Sequence, residues 1–416
     1  MLFHEPHTSA AKMDLFDPSL YANVRKPLLQ AETLPYWCYA SPEFYEREVQ
    51  TIFRKEWNFL GRVDEVPTPG DFYTVDFAGV AVLIARGRDN VVRAFVNSCR
   101  HRGSKIKDGN GNCRVLQCPY HGWAYGLDGE LLAAPGMKAT TAFDRQDYPL
   151  LPLRLDTWGG FIFVNFDPNA QPLRNFLGDF PETFDCYRME DMVTTRKVSY
   201  TVECNWKIYV ENAMEAFHVP HVHKATINRQ VGSVKHDRTF DSTIGNWVVM
   251  HKEHEGSRAI LSGDKGFDRI PSLVGKAARG TFYPLIFPST MLGCTIDAVW
   301  WLEIHPLGPT RMKLIVGSCF PKATLARADF EEVAQNYYRR WDLTSKEDIS
   351  ISELQQQGAG SPLAKPGRLS EHEPLIHAID NWVLDHVLGV EKATPRYQGF
   401  STQDLDVEPQ ELEGTL

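Results

Sequence analysis

The chain runs to 416 residues, 43% hydrophobic and 12% aromatic, enough for one elaborated domain or two and enough to exclude global disorder. A formal charge of −9 without basic stripes argues against a nucleic-acid partner. No run approaches ~18 apolar residues, so no membrane span is expected, and the opening MLFHEPHTSAAKMDLF lacks the basic-then-apolar order of a secretory signal.

Eight cysteines, at 38, 99, 113, 118, 186, 204, 294 and 319, are scattered rather than laid out as a disulfide framework. A reducing, cytoplasmic compartment is the expectation, and there Cys beside His more often means metal than cross-link.

In chain order, residues 1–30 show little periodicity and read as a loose arm that packs on a neighbour or frays. Residues 41–57 predict a helix, with Ser41 as N-cap, Pro42 in the first position and Glu43 at the positive end of the dipole. Phe44, Val49, Ile52, Phe53 and Trp57 supply its apolar side. From Asn58 short strands alternate with PTPGD, FAG and RDN turns, through to a strand pair at 153–167. Residues 174–187 form a mixed helical connector. Residues 197–223 begin as a strand and become helical around Trp206. Strands are expected at 246–254, 291–307 and 311–321, the last two joined by a Gly308-Pro309-Thr310 turn. Residues 328–358 are helical, a second helix covers EPLIHAIDNWVLDHVLG, and a polar tail follows. Strands and helices that segregate rather than alternate argue for an α+β second domain.

The chemistry is concentrated in NSCRHRGSKIKDGNGNCRVLQCPYHGWAY, residues 97–125, which holds Cys99-x-His101 and, sixteen residues on, Cys118-x-x-His121. Zinc knuckles place both cysteines on one loop. Here each loop offers one Cys and one His, as a [2Fe–2S] cluster needs when two cysteines hold one iron and two histidines the other. Cys113 lies between the loops, outside the pattern, and reads as a bystander thiol. Further on, His218 and His223 stand near a helix end with four residues between them, among them Pro220 turning the chain. Such a pair can join a carboxylate in a two-His-one-carboxylate site for Fe(II). His221 is read as a bystander.

These segments closely resemble the Rieske-type ring-hydroxylating oxygenase family. NSCRHRG is similar to its N-x-C-x-H-R-G, and QCPYHGWAY to its C-P-Y-H-G-W. Asn205-Trp206-Lys207 through Asn212-x-x-Glu215-x-x-His218-x4-His223 resembles the N-W-K … N-x-x-D-x-x-H-x4-H segment. Glu347-Asp348, then Glu353-x-x-Gln356-x-Gly358, resembles its E-D-x4-E-x-x-Q-x-G helix. The resemblance covers roughly residues 35–390. It implies that Cys99, His101, Cys118 and His121 hold the cluster and that His218, His223 and Asp348 hold the mononuclear iron, with Glu347 and Glu353 as alternative carboxylates. Asn212 and Glu215 are the implied catalytic residues beside the ligands. Where the family usually has Asp, this chain has Glu215, a residue that in the family bridges the two centres across a subunit boundary. Glu at that place, and Pro366-Gly367-Arg368-x-Ser370-x-x-Glu373, resemble the subgroup acting on carnitine, glycine betaine and stachydrine.

The implied architecture is α+β. An arm and helix (1–54) pack on the catalytic domain, followed by an all-β Rieske [2Fe–2S] domain (55–167) and an antiparallel-sheet-and-helix, helix-grip-like mononuclear iron domain (168–416). The implied protein is the terminal oxygenase of a system using O2, with NAD(P)H electrons delivered by a separate flavin and iron–sulfur reductase. No GxGxxG opens a βαβ unit, so the nicotinamide belongs to another chain. A homotrimer or a multiple of trimers is implied, with no nucleic-acid or membrane partner. Phe282-Tyr283 and Trp300-Trp301 offer an aromatic wall for an ammonium group, although only one Trp of an adjacent pair can face a pocket. The expectation leans to monooxygenation or N-demethylation of a quaternary ammonium or N-methyl compound. Ring hydroxylation of an aromatic compound is the alternative, and a Rieske electron carrier or a structural zinc protein is the reading from another class.

Overall fold

The computed structural model describes residues 13–227 and 238–390, and the polar tail and the first twelve residues of the arm lie outside them. Two seven-stranded antiparallel sheets carry the molecule. The first orders its strands Asn58–Arg62, Phe161–Asn165, Pro152–Trp158, Val92–Val96, Val80–Arg86, Asp71–Phe77 and Asn110–Asn112. A small sheet of Leu116–Gln117, Ala124–Tyr125 and Leu131–Ala133 stands beside it. The second large sheet runs Met192–Val202, Arg311–Pro321, Val299–Gly308, Thr290–Cys294, Gly280–Ile286, Trp247–Glu253 and Arg238–Asp241. Trp206–Ala213 interrupts the strand run after Met192–Val202, while Phe330–Ala359 and Pro374–Leu388 follow all the strands. The whole is α+β.

The segment expected as one strand over 291–307 is a hairpin, Thr290–Cys294 and Val299–Gly308. The turn between them is built by Thr295, whose hydroxyl donates to Ala298 O (2.8 Å) and accepts from Ala298 N (3.2 Å). Pairing then sets Trp300 opposite Gly293 and Trp301 opposite Gly317. A Cβ at either glycine would collide with the facing indole, so each ring occupies the space above a residue with no side chain. The strands Gly280–Ile286 and Arg238–Asp241 add to the expected set. Pro284, which cannot donate to a ladder, faces Val249 on one side, and the pairing with Thr290–Cys294 is interrupted beside it.

Near the N-terminus, Ser41 Oγ accepts from Phe44 N at 3.3 Å and caps a helix over Pro42–Glu48. The chain then widens into a π turn, Val49–Phe53, with Arg54 N bonded to Val49 O at 3.0 Å. The single helix expected to Trp57 therefore ends early. Nor are residues 13–30 loose. Tyr21, Val24 and Leu28 are buried, and short 3-10 turns at Pro18–Tyr21 and Leu28–Gln30 explain the weak periodicity. The buried ion pair Lys207–Glu48 (2.6 Å), joined by Trp206 Nε1 (3.1 Å), fastens this segment to the helix Trp206–Ala213. Gln356 ties it to the long helix: its Oε1 accepts from Asn205 N (2.7 Å) and its Nε2 donates to Tyr39 O (3.2 Å). A strap from the start of the chain thus clamps two helices that come much later.

Candidate metal centres and pocket

The two Cys-His loops fold alike. Gly103 N bonds to Cys99 O (2.9 Å) and Gly122 N to Cys118 O (3.1 Å), four residues on in each loop. Both glycines have φ near +75° (+78° and +74°), a conformation other residues adopt only under strain. Asn97 braces the first loop, its Oδ1 accepting from Ile106 N at 2.9 Å and its Nδ2 donating to Lys107 O at 2.8 Å. Cys99 and Cys118 are buried and unbridged. His101 and His121 lie with ring centroids 4.8 Å apart, and Trp123 stacks on His101 at 4.9 Å.

Two observations test the fit to a cluster. His101 Nδ1 is buried without a hydrogen-bond partner, the condition of an atom waiting for a ligand bond. Among the described residues, no three donors of this set lie within 4.8 Å of one another, whereas donors around one tetrahedral zinc stand about 3.3–3.8 Å apart. Four donors spread more widely suit two irons. Tyr125 OH adds a polar contact to Cys99 Sγ at 3.3 Å, the kind of bond that tunes a cluster thiolate.

Donor atoms of His218, His223 and Asp348 do converge within 4.8 Å. The helix Trp206–Ala213 ends at Ala213, and the chain restarts as a single turn, Val219–Val222, with Pro220 at its head. This break brings His218 and His223 to ring centroids 5.1 Å apart. Both direct Nε2 toward Asp348 Oδ1, at 3.6 and 3.0 Å. Each ring is aimed from behind by its own carboxylate. Glu215 Oε1 meets His218 Nδ1, and Glu347 Oε2 lies 2.7 Å from His223 Nδ1 while accepting from Thr226 Oγ1 at 2.7 Å. The other Glu215 oxygen accepts from Phe217 N and His218 N. Asn212 Nδ2 donates to Asp348 Oδ1 at 3.0 Å.

The environment suits a cation. Burial alone disfavours a charged His223, yet Asp348 and Glu347 outweigh it and hold the imidazole pKa above its ordinary value. All three sequence candidates are brought together. Glu347, offered by the sequence only as an alternative carboxylate, instead orients His223. Glu353 stands apart and caps Glu203 N at 3.1 Å.

A cavity of about 100 Å³ opens on these atoms. Tyr283 and Trp300 line it, while their neighbours Phe282 and Trp301 turn into a separate core cluster. Three cationic side chains, Lys252, Arg258 and Arg340, also line it. Nothing in the sequence marked them, because basic residues on a strand, a loop and a long helix are ordinarily surface groups.

Comparison with known proteins agrees with this geometry. Residues 56–148 match the Rieske [2Fe-2S] domain, and residues 189–389 match the catalytic domain of the ring hydroxylating alpha subunit. The carnitine monooxygenase oxygenase subunit of Escherichia coli (strain K12) is 31% identical over 269 residues, covering 64% of this chain and 68% of the relative. Chloroplastic choline monooxygenase of Spinacia oleracea is 29% identical over 377 residues, 88% of this chain and 80% of the relative. The crystal structure of the quaternary ammonium Rieske monooxygenase CntA with L-carnitine superposes with a TM-score of 0.71 at 25% identity, covering 86% of this chain and 96% of that one. Naphthalene 1,2-dioxygenase from Rhodococcus sp., at 19% identity and a TM-score of 0.71 over 86% of this chain and 95% of that one, shares the fold.

Proposed function

The chain belongs to the Rieske-type ring-hydroxylating oxygenase family, and from that premise we propose that it hydroxylates an N-methyl carbon of a quaternary ammonium or related N-methyl compound. It is an oxygenase component with a Rieske [2Fe–2S] cluster and a mononuclear iron, and it uses O2. In our reading Cys99 and Cys118 hold one cluster iron, His101 and His121 the other, and His218, His223 and Asp348 hold the mononuclear iron. The domains divide at 54/55 and 167/168. When bound, these groups supply single electrons and activate O2.

The chain's own residues do the rest. Glu215 and Glu347 fix the tautomers of His218 and His223 by occupying both Nδ1 atoms, which leaves each Nε2 free to ligate. Asn212 holds Asp348 Oδ1 in place. The apolar lining beside them, with Tyr283 and Trp300, excludes water from the reacting carbon. Overall, one oxygen atom of O2 enters the C–H bond, and two electrons and two protons take the other to water. The N-hydroxymethyl product then loses formaldehyde, leaving the demethylated amine.

Oxygenase components of this kind work with a separate reductase. That it is an NAD(P)H-dependent flavin and iron–sulfur protein, that the oligomer is a homotrimer or a multiple of it, and that the compartment is cytoplasmic are parts of the same proposal. Among the described residues no helix is long and apolar enough to cross a membrane. Glu215 is proposed to reach a cluster histidine of a second copy; His121 is exposed at the surface, where such a copy can meet it.

The observation that carries the proposal is the doubly braced His218–His223–Asp348 group opening into an aromatic cavity. Two measurements test it. Iron and acid-labile sulfide should come to ~3 Fe per chain, one two-iron cluster plus one site. Supplied with O2 and a reductase, the protein should release formaldehyde from N-methyl compounds in step with NAD(P)H consumption. Hydroxylated aromatic products without formaldehyde would favour ring hydroxylation instead.

A further inference from the structure

Among the described residues, two cationic side chains that line the cavity, Arg258 and Arg340, have no ion-pair partner. Arg340 is 4% exposed, and its Nε is buried with no hydrogen-bond partner. Its one hydrogen bond among the described residues is a long contact from Nη1 to Thr344 Oγ1, at 3.5 Å. Arg258, on the loop after the strand Trp247–Glu253, buries its Nη1 equally unpartnered. Neither has an ion pair among the described residues, although arginines elsewhere in the chain do, as Arg196 does with Asp342 at 2.8 Å. Buried guanidiniums ordinarily come with an acid, because burying an unmatched charge is costly. The cost is visible here: burial holds both guanidiniums below their ordinary pKa.

The carboxylates that line the cavity are Glu215 and Asp348, both engaged with the iron-site histidines. Arg340 and Asp348 stand on the same helix eight residues apart, which is two turns on one face and about 12 Å of rise. The basic end of the cavity therefore stands about two turns from the metal position, whose carboxylates would be offset by the Fe(II) they hold. Trp300 is already covered by Arg340, whose guanidinium carbon sits 5.7 Å from the ring centroid. An incoming ammonium group thus finds one face of this aromatic wall occupied by a fixed cation.

We infer that the substrate is a zwitterion, whose carboxylate is clamped by Arg258 and Arg340 while its N-methyl ammonium end faces His218, His223 and Asp348. The inference rests on the N-methyl oxygenase reading above and narrows it from cations in general to ammonium carboxylates. A planar guanidinium fork matches a carboxylate in two hydrogen bonds, and a pair of them in a dry site excludes a bare cation as effectively as it holds an acid. Carboxylate binding would satisfy the two orphaned donors, and it sets the orientation because reversing the molecule would press its ammonium group against two buried guanidiniums and leave both donors unsatisfied.

The test is calorimetric titration of the iron-loaded oxygenase, kept anaerobic, with glycine betaine, γ-butyrobetaine and choline, the last lacking the carboxylate. The carboxylated ligands should bind at least about ten-fold more tightly than choline, as expected for charge-assisted pairing in a buried site. Arg258→Gln and Arg340→Gln should each bring that ratio within about three-fold by weakening the betaines and sparing choline. Arg258→Lys, which keeps the charge and loses the fork, should fall between. The visible spectrum and melting temperature check each variant's fold, and Arg258→Gln suffices if Arg340→Gln does not fold. Choline binding as tightly as the betaines, or a ratio unchanged in both folded variants, overturns the clamp while leaving an N-methyl substrate in place. Benzoate binding with the same arginine dependence, with no betaine bound and no formaldehyde released, keeps the clamp and sinks the N-methyl reading.

Discussion

Glu347 and Asp348 are sequence neighbours that meet opposite nitrogens of one imidazole: Glu347 Oε2 lies 2.7 Å from His223 Nδ1, and Asp348 Oδ1 lies 3.0 Å from His223 Nε2. One carboxylate faces the metal position and the other sets the ring that faces it. Glu347→Ala should therefore weaken iron retention roughly 10–100-fold, the range for a residue that orients a ligand. Iron lost by dialysis against a chelator, with acid-labile sulfide unchanged, measures it.

The two metal centres should come apart by mutation. His218→Ala should abolish turnover and lower iron from ~3 to ~2 per chain while leaving the visible spectrum of the cluster. Cys99→Ser should remove that spectrum. A His218→Ala protein with no cluster absorbance would contradict the assignment of two separate sites.

Glu215 is placed to hold His218, and its proposed second role is to meet a neighbour's cluster in the oligomer. Glu215→Gln keeps the shape and removes the charge, so both metals should remain. Electron transfer between them should slow by ten-fold or more, on the order expected for a group that orients a ligand. Single-turnover kinetics on the pre-reduced protein report this, and rates near wild type would argue against bridging.

Lys207 and Glu48 form an ion pair in which neither side chain is exposed. Removing one partner strands the other's charge, so Glu48→Ala should cost about 3–5 kcal/mol. Chemical denaturation detects it. Because the pair fastens the N-terminal strap, protease sensitivity near residue 40 should rise as well.

Glu211 and Asp380 are buried together beside Tyr39, whose hydroxyl reaches both Glu211 oxygens at 3.0 and 3.1 Å. Burial pushes the Glu211 carboxyl up to about 7, and it pushes Asp380 up as well. Between the ordinary carboxylate pKa and about 7, the folded chain thus holds more protons than the unfolded one. The stability is present at low pH and is lost as pH rises through about 7. Glu211→Gln mimics the protonated acid. It should match wild type in denaturant near pH 5 and exceed it near pH 8.

The sequence made the donor sets legible because ligand spacing on short loops is itself a geometric statement. Spacing alone could not choose between Glu347 and Asp348, which point about 100° apart on the helix, and only the family resemblance singled out Asp348. The π turn at Val49–Phe53 left no mark, because every side chain there suits an ordinary helix. The turn at Thr295–Ala298 is held by one threonine hydroxyl instead of Gly or Pro, so two strands looked like one. Arg258 and Arg340 were the least visible of all. Their character comes from what is missing around them, and a missing partner is a property of the tertiary structure.

The seating of Trp300 over Gly293 gives the pocket a direction in which it can evolve. Enlarging residue 293 expels the indole, so that position is closed to drift, whereas Met291 and Val316 border the same space with side chains that can shrink or lengthen one methylene at a time. A lineage moving to new substrates would keep the glycine and vary its neighbours. The width of this cavity is thus bounded by one residue that contributes no atoms to its lining.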